Sequence, residues 1–138
     1  MRKTIIAAVA GAAVMLAWGY GQAAVDTYKA TLSGGAEVPP VQSSGSGSAS
    51  VSYDPASKQV TYNVTYSGVT ATAAHIHCGA AAGANAGVSV PFANPASPIT
   101  GSATLTDAQA ADLTAGKCYV NIHSAANKGG ELRGQLAK

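Results

Sequence analysis

The chain has 138 residues, 47% of them apolar and only 10% charged, with a formal net charge of +2. Arg2 and Lys3 account for that excess, and the rest of the chain carries six bases against six acids. This balance leaves no basic patch for nucleic acid or an anionic membrane surface, and so much Ala, Gly, Ser, Thr and Val with so few charges excludes a charge-rich disordered chain.

Residues 1–23 read as a secretory signal. Arg2 and Lys3 give a positive start, Thr4 to Trp18 is apolar, and Gly21-Gln22-Ala23 offers small residues for cleavage. The apolar run is short for a bilayer span. Cleavage leaves one domain at 24–138, of about 115 residues, periplasmic or secreted and with no further membrane contact.

The domain then reads as short strands with turns between them. Tyr28 to Leu32 alternates apolar and polar, and a loop rich in Gly, Ser and Pro follows to Gly47. Ser48 to Tyr53 and Gln59 to Tyr66 alternate again around Asp54-Pro55-Ala56-Ser57-Lys58, a hairpin turn. Ala71 to Cys78 is the next strand. The Ala- and Gly-rich stretch Gly79 to Gly87 reads as a mobile loop. Val88 to Phe92 is a strand that Pro91 places at an edge, and Ile99 to Leu105 is another. Thr106-Asp107-Ala108-Gln109 has the form of a capping box, opening a short helix to about Thr114 that Gly116 stops. Lys117 to His123 and Glu131 to Leu136 are the last strands. The total is about eight strands and one short helix, an all-β antiparallel Greek-key sandwich or flattened barrel.

Strand parity sorts the chemistry. In Ala74-His75-Ile76-His77-Cys78 the two histidines share one face and Cys78 takes the other. In Cys118-Tyr119-Val120-Asn121-Ile122-His123, Cys118 has the apolar parity and His123 the polar one. All three histidines of the chain thus fall on polar faces. A His-x-His strand projects its rings the same way, and a third imidazole can complete a metal set. Surface histidines that hold loops are the competing reading. Cys78 and Cys118, both on the core parity of an exported chain, favour a disulfide closing about 40 residues. A pair of free thiols is the alternative. Arg133 could attract an anion or pair with Glu131 or the C-terminal carboxylate, and a structural salt bridge or backbone clamp is the equal competing reading. No Gly-x-Ser-x-Gly motif, free nucleophilic cysteine or phosphate-cradling loop points to a hydrolase or nucleotide enzyme.

Leu32-Ser33-Gly34, Glu37-Val38-Pro39-Pro40, Ala74-His75-Ile76-His77-Cys78-Gly79, Leu113-Thr114-Ala115-Gly116, Tyr119-Val120-Asn121-Ile122-His123 and Gly130-Glu131-Leu132-Arg133-Gly134-Gln135-Leu136 together resemble the CHRD family, named from chordin and frequent in exported bacterial proteins. The resemblance implies an extracytoplasmic β-sandwich. The order His75, His77, His123, Arg133 also has a looser likeness to the copper strands of copper/zinc superoxide dismutases, where an Arg lies near the metal. A fourth, metal-bridging histidine and a zinc-loop cluster are missing, which limits that likeness to copper binding.

The expected function is therefore an exported binding module. A copper ion, with zinc the lesser alternative, would be held by His75, His77 and His123 with Arg133 nearby, and the protein is more readily a binder than an enzyme. A structural or adhesive protein that meets an extracellular protein or matrix without metal is one competing class. A copper redox enzyme of dismutase type is the other.

Overall fold

A computed structural model describes residues 24–138; the expected signal, residues 1–23, lies outside them. The described chain forms eight strands and one α-helix. The strands are β1 (Asp26–Leu32), β2 (Ser46–Asp54), β3 (Gln59–Ser67), β4 (Ala71–Cys78), β5 (Val88–Pro91), β6 (Ile99–Thr104), β7 (Cys118–Ser124) and β8 (Leu132–Gln135), and the helix is α1 (Asp107–Thr114).

They pair antiparallel into two four-stranded sheets, ordered β1-β2-β3-β6 and β5-β4-β7-β8. The chain crosses between sheets after β3, β5 and β6, so the result is a flattened Greek-key sandwich rather than a closed barrel. The period-two pattern explains the packing. Leu32, Val51, Val60, Val64 and Ile99 of one sheet meet Ile76, Val120, Ile122 and Leu132 of the other in one core. Each such side chain contributes roughly 1.5–3 kcal/mol on full burial. Pro91 does lie on an edge strand, as its missing N–H requires.

Local signals hold as well. Asp54 Oδ1 accepts from the Ala56 N–H at 2.9 Å inside the β2–β3 turn. Thr106 and Gln109 form the reciprocal capping box at the start of α1, and Gly116, at φ +75°, stops it. On one side the sandwich is stitched shut, because β1 and β8 exchange backbone hydrogen bonds at Lys29–Ala137 and Ser33–Arg133. Cys78 and Cys118, directly opposite in the β4–β7 register, form a disulfide with a Cα separation of 4.1 Å. In the chain-entropy model its loop contributes about 4 kcal/mol. Among the described residues no helix is long and apolar enough to cross a membrane.

Candidate metal centre

The β4–β7 pairing assembles the histidines. Parity puts His75 and His77 on one face of β4, and the antiparallel register sets Ala73 opposite His123, one diagonal step from His75. Ring centroids stand 4.8 Å apart for His75 and His123, 5.3 Å for His75 and His77, and 5.9 Å for His77 and His123. One nitrogen from each ring lies within 4.8 Å of the other two. Two nitrogens on one ion stand at most about 4 Å apart, so the set is slightly wider than a bound one.

The carbonyls around the rings choose the tautomers. His77 Nδ1 is 2.9 Å from the Ala86 oxygen, and His123 Nδ1 is 2.8 Å from the Lys128 oxygen. A carbonyl only accepts, so both Nδ1 atoms carry a proton, and in the neutral tautomer this leaves the Nε2 lone pairs to another partner. His75 Nδ1 sits 3.1 Å from His123 Nε2 and, facing a lone pair, donates to it. His77 Nε2 has no partner at all, although it is buried. Outer carbonyl bonds of this kind orient histidines in metal sites.

Burial holds the pKa of His75 below the ordinary histidine value, and the neighbouring His123 and His77 lower it further. Burial is also the main cause for His77. Its bond to Ala86 opposes the shift, while His123 and Arg133 add to it. Neutral rings with free lone pairs are the state a metal requires.

The face that carries the rings is not the open outer surface that parity alone suggests. His77 is only 7% exposed, and Tyr119, Asn121 and Arg133 on the same side of the sheet are buried. Two connections cover them. Tyr119 stacks on His77, with centroids 4.9 Å apart and planes 5° from parallel. Arg133 lies over the Tyr119 ring with its guanidinium carbon 3.5 Å from the centroid. Arg133 then donates to Asn85 Oδ1 at 2.9 Å and to the Ala84 oxygen at 2.6 Å. The Tyr119 hydroxyl accepts from the Ala86 N–H at 3.0 Å. The connection between β4 and β5 is thereby pinned at Ala84, Asn85 and Ala86, and is not the free loop that its composition suggests.

The second connection is the one after β1. Asn85 Nδ2 donates to the Val38 oxygen at 2.9 Å, and Asn121 donates to Glu37 and, at 2.8 Å, to the Leu132 oxygen. Burial raises the pKa of Glu37 against the opposing influence of Asn121 and Arg133. Gly130, at φ +130°, passes so close that a Cβ there would come within 2.5 Å of the Glu37 carboxylate.

Of the tasks read for Arg133 from sequence, the geometry matches the backbone clamp, through its bond to the Ala84 oxygen. It is 2% exposed and pairs neither with Glu131 nor with the C-terminus. The Glu131 carboxylate instead accepts from Ser43 at 2.6 Å and Ser124 at 2.7 Å. Tyr119, Glu37, Asn85 and Asn121 were missed as site residues. An aromatic side chain on the polar parity of β7 was the one available signal that this face is covered.

A family model described as the CHRD domain matches residues 28–136. No curated protein and no solved structure matches the chain.

Proposed function

The chain belongs to the CHRD family, and from that premise we propose that it is an exported module that binds a copper ion through His75, His77 and His123. The observation that carries this reading is the unpartnered His77 Nε2. A buried polar atom left without a hydrogen bond costs about 1–3 kcal/mol. Here the ring is fixed at Nδ1 by Ala86 and stacked on Tyr119, and two more imidazoles stand beside it with centroids 5.3 and 5.9 Å away. A metal ion is the partner that satisfies it. His123 Nε2, which accepts from His75 Nδ1 in the metal-free protein, is released to join when His75 moves its proton to Nε2 and offers Nδ1.

The donor set is three neutral imidazoles, with no thiolate because both cysteines are in the disulfide. Imidazole suits copper and zinc, and divalent copper ranks above zinc for a given nitrogen site. Bound copper would supply one-electron chemistry or simply be carried. Residence outside the cytoplasm agrees with the disulfide and with the family. Arg133 acts as a positioning residue. It is stacked and hydrogen-bonded beneath the β4–β5 connection and leaves no open cation for an anionic substrate, which favours binding over dismutase-type turnover.

A metal-free structural role has one observation behind it, since His77 and His123 both hold loop carbonyls. Calorimetric titration with Cu(I), Cu(II) and Zn(II) separates the two. One tight copper site per chain, lost in His75→Ala/His77→Ala, is the expected result. Equal and weak binding by the parent protein and that variant would sink the metal reading.

A further inference from the structure

We propose that the outer face of the β1-β2-β3-β6 sheet is a binding trough for a neutral polysaccharide, independent of the metal centre. The register lines up short polar side chains in rows across this sheet. Thr27, Ser52, Thr61 and Ser102 form one row, and Lys29, Ser50, Asn63 and Thr100 the next. Thr31, Ser48 and Thr65 form a third, in which the Ser48 and Thr65 hydroxyls already bond to each other at 3.2 Å. Lys29 is the single charge inside the array. Asp54 lies at its end, where it holds its own turn.

A sheet face that only keeps a protein soluble mixes charges of both signs and sets them on its edges. This face instead repeats hydroxyls and an amide, and no described residue covers it, since nearly every side chain in the three rows is exposed and the remainder half-buried. Its relief is continuous. Depressions of about 580, 460 and 360 Å³ lie along it. Ser50 and Asn63 line both the first and the second, and Ser48 and Thr65 line both the first and the third.

Charge and chemistry select the occupant. One lysine is too little to hold nucleic acid or another polyanion, and the three rows hold no exposed apolar side chain to give a protein partner a dry centre. Hydroxyls and amides donate and accept together, so they match a partner that is uncharged and hydroxylated along its length. Shallow relief without a stacking aromatic predicts weak binding, with a Kd near the millimolar range, about −4 kcal/mol.

Native affinity electrophoresis through gels containing barley β-glucan, xyloglucan or dextran tests this, with alginate as the anionic arm. At least one neutral polymer should retard the protein, and Ser50→Glu and Asn63→Glu should each weaken that retardation at least tenfold. Asn63 is exposed and Ser50 half-buried on the outward parity, so melting temperature and copper titration should stay near parental values. Amide chemical shifts of Ser50 and Asn63 in the parent protein, followed on adding oligosaccharides of the retarding polymer, give a readout that does not depend on any variant. Retardation by none of the neutral polymers would overturn the proposal, as would shifts confined to other strands. So would retardation by alginate alone that disappears in Lys29→Ala.

Discussion

The two outer faces of the sandwich obey the same alternation and end up as different environments. On β2 and β3 the polar parity is Ser, Thr and Asn with Asp54 and Gln59 at one end, and all of it is exposed or half-exposed. On β4 and β7 the polar parity is His75, His77, Tyr119, Asn121 and His123, and three of these five are buried. The difference lies in what crosses over them. Nothing described crosses the first face, while the connections after β1 and after β4 are fastened over the second by Glu37, Asn85 and Arg133. A period of two decides which side of a sheet a residue takes, and the covering loops decide whether that side is wet.

That comparison can be broken experimentally, beginning with the covered face. His77→Ala removes the one buried ring nitrogen without a hydrogen-bond partner among the described residues. Copper affinity should fall by more than the roughly 10–100-fold typical of outer-shell losses, as measured by competition with a chelator. Arg133→Met should be the most damaging change to the fold. It strands the Ala84 oxygen and Asn85 and unstacks Tyr119, and a loss of about 2–4 kcal/mol is expected in urea unfolding. Tyr119→Phe keeps the stack and deletes the bonds to Ala86, so about 1 kcal/mol of stability and about tenfold of copper affinity should go. A Tyr119→Phe protein with parental copper affinity would mean that the connection does not set the histidine geometry. On the uncovered face, Thr61→Ser should stay within about 0.5 kcal/mol of the parent.

Acid should act on the covered face with two opposite signs. His75 and His77 have folded pKa values below the unfolded value of about 6.5. The folded state therefore binds fewer protons there, and their contribution is lost as pH falls below about 6.5. Glu37 has a folded pKa above its unfolded value. The folded state binds more protons in that window, so the Glu37 contribution is present at low pH and declines as pH rises through it. Urea midpoints of the metal-free protein across this range should fall with acid, and His75→Gln/His77→Gln should flatten the fall. An unchanged slope would contradict the burial of these rings.

Much of the fold was legible in the residues alone. The hairpin around Asp54-Pro55, the capping box at Thr106, the edge position of Pro91 and the parity of both cysteines all rest on local rules, and local rules survive folding. The histidine cluster was legible because two histidines are on one strand and the third follows a cysteine on a second strand, with the parity opposite to that cysteine. The partners of Arg133 and Glu37 were not, because they lie 48 and 84 residues away, at Asn85 and Asn121. The cover over β7 depends on where two irregular segments travel, and neither period nor composition records a path. Gly79 to Gly87 has the composition of a free loop, yet it is pinned by groups on β4, β7 and β8.

The central claim is that three imidazoles, His77 through its unpartnered Nε2, converge on one copper ion. X-ray absorption of the copper-loaded protein tests it most directly. The expected spectrum shows one copper per chain with three imidazole nitrogens at about 2 Å, falling to two in His77→Ala. An imidazole count that His77→Ala leaves unchanged would contradict it.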